Sequence, residues 1–364
     1  MFSDSFFDNS LYIDINAIEK NYLLLKERAH PALCAATVKA NAYGLGIERV
    51  ARCLYDVGCR DFFVATLGEA IALRRIKQDI NIYVFHGIKK NEANAFLGNN
   101  LIPILNDIEQ IKLWDKFAFS RKIILPAILH FDTGINRLGL DINNAQKIAK
   151  NLPSNIKITY IMSHFATANE VNNKRNIIQL NDFKKIKDLF PKQKATIANS
   201  SAIFLGKEYI HDMVRPGAAL FGINPIPYNK KNPIHNVIRL TSKIIQIKKI
   251  TRDGMVGYGD VCPVKKGTII ATIPLGYADG YHRSLTNRSY CYLDNKFIPT
   301  LGKISMDMTI LDISQFEEGE IKVGDEVEVI GKNIKLSVLS KQANTIAYEI
   351  LTSFSERCKK IYIK

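Results

Sequence analysis

Residues 32–46 read ALCAATVKANAYGLG. Small and apolar residues run from Leu33 to Ala36, Thr37 and Val38 follow, and the run ends on Lys39. A polar, glycine-bearing turn carrying Tyr43 comes next. Strands that are apolar on both faces belong to parallel sheets covered by helices, so the segment reads as the first strand of such a sheet. A lysine at the end of a buried strand has two fates. Its stem can lie along apolar surface while the ammonium reaches water. Alternatively it sits partly desolvated, loses its proton readily and acts as a nucleophile toward a carbonyl.

Seven further runs share this texture: residues 61–67, 81–87, 101–105, 124–132, 156–165, 195–200 and 212–217. Stretches of helical period lie between them, such as IERVARCLYDVG, LGEAIALRRIKQ and RNIIQLNDFKKIKDLF. Eight strands with about as many helices make an α/β protein with the arithmetic of a closed (β/α)8 TIM-type barrel. An open doubly wound sheet is the alternative. It is weakened because no Gly-x-Gly-x-x-Gly follows the first strand. After Pro233 the texture changes to short β-rich runs broken by Gly and Asn turns. The expected organisation is an N-terminal extension (1–10), a barrel (11–233) and an all-β domain (234–364). Residues 224–233, NPIPYNKKNP, read as the linker.

The chain has 364 residues, is 47% hydrophobic and carries a formal net charge of +15. Its lysines are scattered and its short basic runs lack interleaved aromatics, so a soluble surface is favoured over a nucleic-acid binder. Six cysteines form no Cys-x-x-Cys pair and no metal-ligand cluster, which fits reduced thiols in a cytoplasmic protein without a metal. The start, MFSDSFFDNS, has no basic n-region or long apolar run, and no stretch has the length of a membrane span.

In a barrel the C-terminal strand ends form the active face. Those ends carry Lys39, Phe85, His130 with Arg137 beyond it, His164, Asn199 with Ser200, and Arg215. So many basic or polar groups at one end of successive strands point to an anionic ligand. In VRPGAALFGI, the backbone N–H groups of Gly217 and Ala218 and the Ser200 hydroxyl suit a phosphate. His164 has no second ligand at metal spacing and reads as a neutral, hydrogen-bonded histidine. In the β-rich part, Tyr258 and Tyr277 taken alone read as sheet aromatics, and Asp307 as a turn cap.

Together these residues resemble alanine racemase, the fold-type III family dependent on pyridoxal 5′-phosphate. VKANAYGLG is similar to the family's cofactor-lysine signature. DTGINRLG, SHFATANE, ANSSA, VRPG, VGYG, GYADG and SMD follow in the family's order, from about Leu11 to the C-terminus. The resemblance implies that Lys39 holds the cofactor and acts as base on one face of alanine. Tyr258 serves the other face and comes from the partner subunit of a head-to-tail homodimer with shared active sites. Tyr43, Asn199, Ser200, Gly217, Ala218 and Tyr348 are implied cofactor-binding positions, the phosphate being the main target. Arg215 is implied to meet the pyridine nitrogen, with His164 beside it. Arg137 and the Met306 backbone are implied to hold the substrate carboxylate, while Tyr277, Asp307 and His130 line or support the way in. The implied role is D-alanine supply for peptidoglycan.

Three positions depart from the family pattern. His130 stands where many members have a lysine carried as a carbamate, an anion that bridges to the arginine matching Arg137. The expectation is that His130 holds Arg137, with a small anion beside it and no need for carbon dioxide. Asn169 replaces a usual aspartate, and Lys303 replaces a usual arginine. The alternatives are a racemase of the same fold with broader specificity, a diamino-acid decarboxylase of that fold, and a non-catalytic cofactor carrier. Carriers have the barrel only, so residues 234–364 with Tyr258 argue against the last.

Overall fold

The computed structural model describes residues 8–229 and 232–364. Most of the expected N-terminal extension, and Lys230 and Lys231 of the expected linker, lie outside the described residues. The chain divides into two units. One is residues 17–235; the other takes residues 236–364 together with the stretch up to Asn16.

In the first unit the strands are Leu33–Cys34 and Ala36–Thr37, then Asp61–Val64, Asn81–Val84, Ile102–Leu105, Leu125–His130, Ile156–Met162, Lys194–Thr196 and Met213–Val214. Each pairs in parallel with the next. Met213–Val214 then pairs in parallel with Leu33–Cys34. Since Leu33–Cys34 and Ala36–Thr37 are one run interrupted at Ala35, this last pairing closes the sheet into a barrel. Strand order follows chain order because a helix separates most consecutive strands, returning the chain for another parallel strand. Ala35, Phe63, Tyr83, Ile104, Ile128, Tyr160, Met162 and Met213 fill the interior as one buried cluster. At the N-terminal end of the strands the Asp61 carboxylate is paid for by the Asn81 amide (3.0 Å) and the Tyr83 hydroxyl (2.9 Å).

The second unit is built on a nine-stranded sheet. Asn9–Asp14 lies in it, antiparallel to Ile238–Lys243 on one side and parallel to Lys359–Ile363 on the other. Residues 11–14, read from sequence as the start of the barrel, are therefore part of this sheet. Their alternating burial fits a sheet with one covered face. Tyr290–Leu293 and Lys296–Leu301 form a hairpin across Asp294 and Asn295, both at positive φ, which is the twist a two-residue turn needs. Two short helices, Leu336–Gln342 and Ala347–Ser353, complete the unit.

Candidate functional site

The strand that opens the barrel ends at Thr37, and Lys39 begins a turn of unusual hand. Ala40, Asn41, Ala42 and Tyr43 have φ of 53, 54, 54 and 55°. The left-handed helix costs an L-residue roughly 1–2 kcal/mol, and such strain persists only where surroundings impose it. Here Glu69 imposes it from the first turn of the next helix, Leu67–Ile76. Its carboxylate accepts from Ala40 N (2.7 Å) and Ala65 N (2.7 Å) while also closing a capping box with Thr66. The Asn41 side chain accepts from Ile47 N at 2.8 Å and seals the far side. Sequence reading anticipates a tight turn here but misses its hand. Thr66-x-x-Glu69 is a legible capping box; its bond to Ala40 is a tertiary contact and is not.

Lys39 Nζ lies 5.7 Å from the centre of the Phe85 ring. Burial lowers its pKa first, then the Arg137 guanidinium; Arg215 acts in the same direction and Glu69 against it. Arg215 is 3% exposed. Its Nε donates to Thr196 Oγ1 at 3.0 Å, and its Nη2 donates to the carbonyls of Ser163 (2.5 Å) and Ile197 (3.2 Å). Burial pushes its pKa down to about 9, so it remains a cation at neutral pH. Among the described residues no carboxylate lies within ion-pair distance of it. Burial and then Arg215 hold the His164 imidazole well below its ordinary range, and His130 is pushed down to about 3 by the same two causes. Three cations and two neutral imidazoles therefore converge at the C-terminal ends of the strands, a field that concentrates anions.

A second feature adjoins them. Ser200 Oγ accepts from Gly217 N (3.0 Å) and Ala219 N (3.2 Å), so its own proton is free to donate. The N–H of buried Ala218 has no acceptor among the described residues. A Cβ on Gly217 would collide with the Tyr43 hydroxyl, so that hydroxyl and the Gly217 backbone face each other closely. The ring of Tyr43 packs on Phe221 with centroids 4.7 Å apart. Hydroxyl and amide donors thus converge as a phosphate group requires. The Asn199 amide oxygen accepts from Ser201 N and Ala202 N, shaping the loop that carries Ser200.

The second unit carries the remaining candidates. Tyr258 is 69% exposed, between two glycines at positive φ. Tyr277 and Met306 belong to loops tied by Tyr277 N to Ser305 O (3.1 Å) and Ala278 N to Met306 O (3.0 Å). The Met306 N–H has no acceptor among the described residues. Arg357 bridges Asp307 (2.8 Å) and buried Asp279 (2.9 Å). Tyr348 sits partly exposed on Ala347–Ser353. Among the described residues no group of three or more His, Cys, Asp or Glu could hold a metal, and no helix is long and apolar enough to cross a membrane.

Two family models cover nearly all of the chain. One, "Alanine racemase, N-terminal domain", matches residues 13–225, and the other, "Alanine racemase, C-terminal domain", matches 237–362. A curated alanine racemase of Rickettsia canadensis is 39% identical, over 98% of this chain and 99% of its own. Among solved structures, alanine racemase from Bartonella henselae with covalently bound pyridoxal phosphate superposes with a TM-score of 0.94. It is 36% identical, over 98% of this chain and 99% of its own. A biosynthetic alanine racemase from Pseudomonas aeruginosa gives 0.91 at 28% identity, over 98% of this chain and 100% of its own.

Proposed function

The chain belongs to the alanine racemase family, and from that premise we propose that it is an isomerase that uses pyridoxal 5′-phosphate to interconvert L- and D-alanine. The observation that carries the reading is Lys39: a half-buried amine whose pKa is lowered by burial, Arg137 and Arg215, beside a cradle for phosphate. The donor set fits this cofactor. Ser200, Tyr43 and the Ala218 N–H would hold its phosphate, with Gly217 letting the Tyr43 hydroxyl come close, Lys39 its carbonyl carbon, and Arg215 its ring nitrogen. When bound, the cofactor supplies an electron sink for charge developing at an amino-acid Cα.

The chain's own groups do the rest. Lys39 Nζ gives up its ammonium proton more readily than an exposed lysine, which suits it to take a proton from Cα. Arg215 is a poor proton donor because its guanidinium holds its protons to about pH 9. It therefore orients by hydrogen bonding without delivering a full proton. Arg137 is suited to the alanine carboxylate. Tyr258 is the second base, carried on the opposite face by the partner subunit of a homodimer. Its exposure in the single chain supports that assignment, because a tyrosine presented on a glycine-flanked turn is left for another surface to cover. A cytoplasmic enzyme supplying D-alanine for peptidoglycan is the biological role, and six buried free thiols suit that compartment.

The test follows the α-proton of L-alanine by NMR in deuterated water with added cofactor, alongside the chirality of the product. Exchange should match D-alanine formation, and both should fall by at least ~10³-fold in Lys39→Ala. A protein that binds the cofactor at Lys39 but leaves alanine unexchanged is a carrier, and the proposal fails.

A further inference from the structure

Asn106 and His130 stand at the ends of two neighbouring strands, Ile102–Leu105 and Leu125–His130. The Asn106 side-chain nitrogen donates to two carbonyls, Phe85 O at 3.0 Å and Ile104 O at 2.9 Å. Those bonds decide which end of the amide is oxygen. That oxygen lies 2.7 Å from His130 Nδ1 and can only accept. His130 Nδ1 therefore carries the proton, and Nε2 carries a lone pair. His130 is 5% exposed, and its Nε2 is buried with no partner among the described residues. A buried acceptor without a donor is costly, so the position demands one.

Two guanidiniums bear on this imidazole. Arg215 is tethered by Thr196, Ser163 and Ile197. Arg137 is exposed and has no hydrogen bond or ion pair among the described residues, so it is free to move. We propose that His130 is a positioning residue whose Nε2 accepts a hydrogen bond from the Arg137 guanidinium, fixing that cation for the carboxylate of the substrate. The inference rests on the racemase reading for the identity of that carboxylate. An uncharged acceptor is the form the surroundings enforce. Burial, Arg215 and Arg137 all oppose a second proton on the ring, with only Asp132 favouring it. The small anion expected beside His130 from the sequence would meet a lone pair instead of an N–H, which disfavours it.

The test has two parts. In holoenzyme labelled with ¹⁵N-histidine and ¹⁵N-arginine, the ring signal missing from His130→Gln should report an Nδ1–H tautomer that does not titrate between pH 6 and 9. The Arg137 Nε signal should stand apart from exposed arginines and merge with them in His130→Leu. Kinetically, His130→Leu should raise KM for alanine about tenfold, with a smaller change in kcat. His130→Gln, whose amide oxygen still accepts, should recover most of the loss. In an Arg137→Ala background, His130→Leu should add nothing further. An Nε2–H tautomer, a titrating ring or additive effects on KM would overturn the proposal; additivity is the result expected if Nε2 binds only a water. The wild-type spectra need neither turnover nor a stable leucine variant. Spectra as expected from a protein that does not racemise alanine would support the His130–Arg137 bond and sink the substrate reading instead.

Discussion

Two arginines are buried in the barrel unit, Arg74 at 5% exposure and Arg215 at 3%. Burial pushes the pKa of both down. Arg74 reaches from the helix Leu67–Ile76 to the turns that precede two strands. All three of its nitrogens are engaged, with the carbonyls of Asn99, Lys77, Gln78, Ile80 and Asn100. Arg215 stands at the other end of the strands, and its Nη1 makes no hydrogen bond among the described residues. Depth of burial and a depressed pKa therefore fail to separate a structural arginine from a functional one. Unspent hydrogen-bonding capacity separates them, as does the end of the barrel at which each sits.

The comparison is most exposed to Arg74→Met and Arg215→Met, measured by denaturant unfolding and kcat/KM on the same samples. Arg74→Met strips five carbonyls of their donor. It should cost about 3 kcal/mol or more of stability. Activity per folded molecule should stay within about twofold. Arg215→Met should reverse the pattern, with kcat/KM down about 10²–10³-fold and a smaller stability loss, since it also relieves repulsion with Lys39. Matching profiles for the two variants would erase the distinction.

The same contrast marks what was legible in the sequence. Each barrel strand is a short run apolar on both faces, and one-dimensional texture is enough to find it. Lys39, Arg137, His164 and Arg215 were legible because they interrupt that texture at one end. Asn106 was not, because a lone asparagine after LIPIL shows neither its two carbonyl partners nor the imidazole it orients. Nor was the sheet position of Asn9–Asp14, whose partners at Ile238–Lys243 and Lys359–Ile363 lie more than two hundred residues away. The left-handed turn escaped for a related reason. Of Ala40–Asn41–Ala42 only Asn41 leans toward that hand locally, and the Glu69 carboxylate imposes it from a different helix.

Histidines allow a second comparison. His130 is pushed down to about 3 and His211 to about 4, in both cases mainly by burial, and His164 also lies well below its ordinary value. The unfolded chain takes up these protons near pH 6.5 and the native state does not. Between that pH and the lowered values the unfolded state binds more protons, so stability should fall as pH falls. The slope is up to ~1.4 kcal/mol per pH unit for each histidine. The urea midpoint between pH 6.5 and 5 measures it. His211, just before Met213–Val214 and edge-on to Phe183, lies away from the strand ends that form the site. His211→Gln should remove one histidine's share of the slope and leave KM unchanged, whereas His130→Leu should remove a similar share and raise KM. A profile flat over this range would contradict neutral histidines in the native state.

Two glycines make a smaller contrast. At Gly217 a Cβ would meet the Tyr43 hydroxyl, while at Gly98 it would meet nothing within 4 Å. The φ of −132° at Gly217 is one any residue adopts, so Gly217→Ala acts through the collision alone. Cofactor affinity, titrated by absorbance onto the stripped protein, should fall about tenfold, or 1.4 kcal/mol. Gly98→Ala should leave affinity unchanged and raise stability by about 0.5–1 kcal/mol. Equal affinities in the two variants would remove Tyr43 and Gly217 from the phosphate cradle.

The smallest effect concerns Glu69, which does for Lys39 what no carboxylate does for Arg215: it opposes the fall in pKa. Glutamine has one acceptor oxygen where the carboxylate uses two, Oε1 for Ala40 N and Oε2 for Ala65 N and Thr66 N, so Glu69→Gln keeps the left-handed turn with its oxygen on Ala40 N and gives up the bonds on the capping-box side. The charge is lost, and with it the one named influence that favours the Lys39 ammonium. The Lys39 pKa should drop further, leaving more neutral amine at a given pH. Covalent capture of the cofactor needs that neutral amine, so the pH midpoint of the capture rate should move to lower pH in Glu69→Gln. A midpoint moving to higher pH would mean that the carboxylate acts on Lys39 through the geometry of the turn and not through its charge.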